Sequence, residues 1–119
     1  MATWQELDEA LADYTVQCNS NERLRKMQRD WSRRLHFVCT DNDVIFTMVV
    51  DRGEIVEVSE GHAGTPDIVV SADSEVFCDM FWGDLNPVRK YLAGEIKVQG
   101  SQEDVMRLDA ISAVIWPDA

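Results

Sequence analysis

Between Gly83 and Gly100 the chain signals two helix stops, one helix restart and a return to strand. That order predicts short elements joined by sharp turns. A helix bearing Val76, Phe77, Met80 and Phe81, capped by Asp73 or Ser74, ends near Gly83, because glycine adopts the left-handed conformation that closes a helix. Asn86-Pro87 restarts a short helix, with proline in the first turn, where its missing amide is no loss. Val88, Tyr91 and Leu92 give that helix an apolar side until Gly94 breaks it. Glu95 to Val98 reads as a strand, and Ser101 with Asp104 caps a last helix.

The residues upstream supply two more helices and four strands. Thr3 and Glu6 form a capping-box signature, followed by Trp4, Leu7, Leu11, Tyr14 and Cys18 at helical spacing. Asn21 caps a second helix with Leu24, Met27 and Trp31 on its apolar stripe. The period then changes to that of strands. Leu35, Phe37 and Cys39 alternate with His36, Val38 and Thr40. Asp41-Asn42-Asp43 and Arg52-Gly53 supply turns on either side of Val44 to Val50, and Glu54 to Val58 returns. This predicts an antiparallel meander of three strands. Its middle run, apolar on both faces, is expected at the sheet centre and covered on both sides. Asp67 to Ala72 makes a fourth strand. The elements make an α+β chain of five strands and about five helices. Residues 1–119 make one domain, long enough for a core without disulfide or metal staples.

The last helix is broader in its apolar face than a surface helix requires, with Val105, Met106, Leu108, Ala110, Ile111, Ala113, Val114, Ile115 and Trp116. Burial on most sides, an internal apolar cavity and an oligomer contact each account for that breadth.

The charge is uneven as well as large. A formal net charge of −11 argues against nucleic acid as a partner, because phosphate contacts dominate that affinity. Six basic residues nevertheless crowd between Arg23 and Arg34, whereas Arg52 stands alone among the acidic residues from Asp41 to Asp84. A solvated basic helix turned away from an acidic sheet, or a docking patch for an anionic surface, both fit.

The usual signatures of catalysis are missing. His36 and His62 lack the spacing that places two ligands on one helix face, and there is no P-loop, dinucleotide fingerprint or nucleophile elbow. Asp41 to Asp43 lacks the glycine and the bidentate glutamate of a calcium loop. Cys18, Cys39 and Cys78 form no CxxC pair and read as small apolar side chains, although Cys78 and His62 remain an imaginable pair. The expectation is a protein that is not an enzyme, with no catalytic residues, no metal and no cofactor. With neither a membrane-length apolar run nor a leader pattern, it is expected in the cytoplasm.

Gly83, Leu85, Pro87, Tyr91, Gly94, Ile96, Val98 and Gly100 stand in the order typical of the sterol-carrier-protein-type-2 family. Phe46, the Asp51-Arg52-Gly53 turn and the strand from Asp67 to Ser71 agree with it. The stretch from Val44 to Ile111 therefore resembles that family. Two features depart from it. Phe46 stands where the family commonly has tryptophan, and Trp116-Pro117-Asp118-Ala119 is not a peroxisomal targeting tail. The resemblance implies that the strands form one five-stranded mixed sheet, mostly antiparallel, covered by the helices. It also implies an apolar tunnel between sheet and helices that binds, and in transfer proteins carries, a lipid or other hydrophobic small molecule. By matching position its wall falls on Phe77, Phe81 and Trp82, on Val88, Tyr91 and Leu92, and on Met106, Ala110 and Ile111. Arg89 and Lys90 are the candidates to read a head group. A transient membrane-surface contact would go with that role. The alternative is a ligand-free interaction or accessory module, a homodimer formed through the apolar last helix.

Overall fold

The computed structural model describes residues 1–117; Asp118 and Ala119, the end of the tail that departs from the family pattern, lie outside the described residues. The Thr3 hydroxyl accepts from the Glu6 amide and the Glu6 carboxylate accepts from the Thr3 amide. This reciprocal cap starts α1 (Trp4–Ser20). Asn21 caps α2 (Glu22–Gln28) through the Leu24 amide. The strands β1 (Arg33–Cys39), β2 (Ile45–Asp51), β3 (Glu54–Glu60) and β4 (Ile68–Ala72) follow. Then come α3 (Ser74–Trp82), α4 (Pro87–Leu92), β5 (Lys97–Gln99) and α5 (Gln102–Ile115).

The strands form one mixed sheet in the order β3-β2-β1-β4-β5. β1 and β4 run parallel, and the other three pairs are antiparallel. The middle strand of the meander is β2, as expected. The centre of the whole sheet is instead β1, because β4 crosses over and pairs with it, a choice that no local pattern records. Leu35 and Phe37 of β1, Phe46 and Met48 of β2, and Ile68 and Val70 of β4 are all buried, facing the helices.

Among the described residues no helix lies on the opposite sheet face. There the loop from 61 to 66 covers Thr47, whose hydroxyl donates to the Gly61 carbonyl and accepts from the Ala63 amide. His36 and His62 stack on that face with ring centroids 4.1 Å apart. The exposed edge at β3 is closed by Asn19 of α1. Its side-chain amide donates to the Ile55 carbonyl and its oxygen accepts from the Ile55 amide, so a side chain replaces a neighbouring strand.

Two local expectations shift. On α2 it is Gln28 that turns inward, while Met27 is 40% exposed; Arg107 of α5 supplies the partners that make a buried amide tolerable. β5 begins two residues later than its sequence pattern suggests. The amides of Glu95 and Ile96 donate back to the Lys90 carbonyl and finish α4 instead of joining the sheet.

Arg52 and Gly53 both have positive φ, 52° and 77°, which is the two-residue hairpin turn that matches strand twist. Gly53 also abuts α2, where a Cβ would stand 2.6 Å from the Gln28 carbonyl oxygen.

Candidate functional site

Over one end of the sheet, α1 and α3 lie directly on the strands. Phe77 is fully buried there, edge-on to Phe37 and Phe46 and stacked with Phe81. Ring centroids in this group are 4.7–6.3 Å apart, the range in which aromatic pairs attract. This half of the interior is filled.

Over the other end the interior is hollow. A cavity of about 160 Å³ lies between the sheet and the helices. Its floor is Leu35, Phe37, Met48, Val50, Val70 and Val98. Tyr14 and Cys18 of α1, with Leu24 and Gln28 of α2, make one wall, and Met80 and Phe81 of α3 mark the border with the filled half. Pro87, Val88 and Tyr91 of α4 make the facing wall. The roof is Val105, Leu108, Asp109, Ile111 and Ser112 of α5, followed by Trp116. Apart from the half-buried Val98, floor and inner walls are buried, and so is Pro87, whereas the other α4 and α5 side chains are half-buried or, at Tyr91 and Asp109, exposed. The opening therefore lies along the seam between α4 and α5.

Helix α5 spans the hollow because polar contacts hold it at its ends. Near its start, the buried Asp104 carboxylate accepts from Trp31 Nε1 and from Arg33 Nε, both at 2.9 Å. One turn on, Arg107 donates two hydrogen bonds to the Asp30 carboxylate (2.8 and 3.0 Å) and one to Gln28 Oε1. The Arg107 guanidinium holds the Asp30 carboxyl below its usual range. At the far end Trp116 Nε1 donates to the Met80 carbonyl, its own carbonyl accepts from Asn86, and its ring stacks on Tyr14. Between these anchors the helix buries no side chain fully except Asp104.

The residues anticipated for a tunnel wall divide in two. Phe81, Val88, Tyr91 and Ile111 line the cavity. Phe77 sits in the filled half instead, and Ala110 is half-buried away from the hollow. Trp82, Leu92 and Met106 are exposed by 43%, 77% and 65%. Of the two cations proposed to read a head group, Lys90 is 3.3 Å from Glu95. Arg89 is exposed, on the side of α4 opposite Val88 and Tyr91. Val105, Leu108 and Trp116, part of the broad apolar face legible in the sequence, line the cavity as well, and so does Ser112, which no apolar pattern marks. Nothing local distinguished Asp109 from an ordinary surface charge.

The histidines and cysteines are scattered. His36 Nε2 and His62 Nε2 each lie 3.0 Å from a backbone carbonyl, on the sheet face away from the cavity. Cys78 belongs to α3 across the sheet, so the Cys78–His62 pairing does not form. Burial pushes the Cys18 and Cys39 thiols up to about 11 and raises the Tyr14 phenol well above its usual range. Among the described residues no three His, Cys, Asp or Glu side chains gather as they would around a metal ion. No helix among them is long and apolar enough to cross a membrane.

Five helices on one face of a mixed sheet, raised over an apolar hollow, define an α+β protein of the sterol-carrier type. The chain belongs to the SCP-2 sterol transfer family, whose family model matches residues 10–112. None of the curated proteins matches the sequence. Several solved structures share the fold. The "UbiJ-SCP2 Ubiquinone synthesis protein" superposes with a TM-score of 0.70 at 17% identity, covering 92% of this chain and 94% of that one. The sterol carrier protein domain 2 of Helicoverpa armigera gives 0.63 at 21% identity, covering 94% and 88%. Palmitated SCP2L2 from Aedes aegypti gives 0.63 at 14%, covering 97% and 95%. At these identities the likeness is one of fold.

Proposed function

We propose that the protein binds a lipid or other hydrophobic small molecule in the cavity beneath α5, carries it in the cytoplasm, and catalyses no reaction. The observation that carries this reading is the hollow itself, apolar on floor and walls, in a chain of the SCP-2 sterol transfer family. Each methylene transferred from water into such a site contributes about 0.8 kcal/mol. Apolar hollows of about 150 Å³ stay dry and accept benzene-sized guests, so the resting volume suits one end of a ligand. A longer molecule projects through the α4–α5 seam or displaces α5 outward. Tyr91 and Leu92, exposed on α4 beside that seam, suit a transient contact with a membrane from which a lipid is taken. Three free cysteines fit a reducing compartment.

Native mass spectrometry of gently purified protein tests the reading, with a co-purifying apolar molecule as the expected result. A preparation that carries none, and that fails to enhance the fluorescence of N-phenyl-1-naphthylamine (a neutral apolar probe), would overturn it. The alternative, a module that dimerises through α5, has less support. Met106 is the one large apolar side chain of that helix exposed among the described residues, and the others turn toward the hollow or the core.

A further inference from the structure

We propose that Asp109 makes the cavity selective for apolar chains with an uncharged head and disfavours those ending in a carboxylate. This deepens the cavity-binding reading above and rests on it. The first step concerns where a polar head can go. The polar side chains of the inner wall are already engaged within the protein, the Tyr14 phenol with the Cys18 sulfur. Gln28 pairs at both ends of its amide with Arg107, Trp31 donates to Asp104, Trp116 donates to the Met80 carbonyl and Ser112 donates to the Leu108 carbonyl. A head group drawn inside would exchange water for unpaired burial, at a cost no wall residue offsets. The hydrocarbon end enters, and the head stays at the α4–α5 seam.

The second step concerns what the head meets there. Among the described residues that line the cavity, Asp109 alone carries a formal charge, and no described residue forms an ion pair with it. The cations nearest in sequence and fold do not compensate. Arg107 is committed to Asp30, and Lys90 to Glu95. Arg89 lies on the outer side of α4. Lys97 alternates with Val98, whose side chain lines the floor, and so points to the other sheet face. An anionic head at the seam therefore faces a like charge beside a low-dielectric wall. A hydroxyl head instead donates a hydrogen bond to the Asp109 carboxylate.

The test compares decanol with decanoate, equal in chain length and different in head charge, by displacement of N-phenyl-1-naphthylamine at about pH 8.5, where the carboxylic acid is ionised. Decanol is expected to bind at least about fivefold more tightly, the factor that one like-charge contact in water supplies. The ratio should shrink as salt is added. Asp109→Asn, an exposed and nearly isosteric change, should bring decanoate up to the affinity of decanol while leaving decanol within about twofold. Asp109→Lys should invert the preference. Equal binding of the two ligands by the wild type overturns the inference and leaves cavity binding standing. So does a preference that survives Asp109→Asn. Binding of neither ligand overturns the cavity reading itself.

Discussion

The two ends of the helix-covered face use the same chemistry and arrive at opposite results. At the α1–α3 end, Phe46 and Phe77 interlock with Phe37 and Phe81, whose far sides border the cavity. At the α5 end, Val70, Leu108 and Ile111 are no less apolar, yet a cavity of about 160 Å³ remains. The difference lies in how the covering helices are held. α1 and α3 are pressed onto the strands by their own side chains, so apolar burial both attracts and positions them. α5 is fastened by Asp104, Arg107 and Trp116 at its ends. Directional polar bonds set its height above the sheet, and its apolar face does not determine how far it descends. A hollow survives where polar anchors, and not apolar collapse, fix the roof.

The contrast breaks if truncation costs the same at both ends. Phe77→Ala is expected to destabilise by about 4 kcal/mol, the usual penalty for emptying a filled aromatic site. Leu108→Ala, half-buried over existing space, should cost only about 1 kcal/mol. Urea denaturation at constant m-value measures both, and equal costs would refute the distinction between filled and hollow halves.

Enlargement should act in the reverse sense and more weakly. Ala10 is fully buried on α1, so Ala10→Leu overpacks the filled half and is expected to cost about 1–3 kcal/mol. Ser112→Leu projects into the hollow and should leave stability unchanged or raise it by about 0.5–1 kcal/mol. It should also abolish displacement of the neutral fluorescent probe. A folded Ser112→Leu variant that still binds the probe at full affinity would place the ligand elsewhere.

The subtlest distinction is between two thiols. Cys18 lines the cavity and Cys39 does not, yet burial raises both from the ordinary 9.0 to about 11. A raised thiol pKa contributes stability that is fully present below the unfolded value and lost as pH rises through the folded one. The urea midpoint should therefore fall between pH 9 and about 11, the window set by those shifts. Iodoacetamide should label both thiols slowly below that window. Decanol should slow labelling of Cys18 further and leave Cys39 unaffected. Equal protection of both would indicate global stabilisation in place of cavity occupancy.

Much of the architecture was legible in the chain. The capping box at Thr3, the restart at Asn86-Pro87, the turn at Arg52-Gly53 and the stop at Gly83 each encode a local backbone preference, and each appears where its residues demand. The family pattern between Gly83 and Gly100 assembled those signals into a fold. The candidate site was legible only in part. Phe81, Val88, Tyr91 and Ile111 reach the hollow, whereas Phe77 from the same apolar stripe as Phe81 fills the neighbouring core. Periodicity says which side of a helix is apolar, and a packed core and an empty pocket ask for the same side chains.

By itself, then, the sequence determined where elements start, stop and turn, and which faces must leave water. Local dihedral preferences and hydrophobic period are properties of neighbouring residues, and both are written in the chain. Three features were decided only in the tertiary structure: β1 at the centre of the sheet, Asp109 at the mouth of a cavity, and a space beneath α5. Each depends on partners far apart in sequence: the first on the pairing of β1 with β4, the other two on Trp31 and Arg33 with Asp104, Asp30 with Arg107, and Met80 with Trp116. The separation between a helix and the sheet it covers is set by such long-range bonds, and no local pattern contains it.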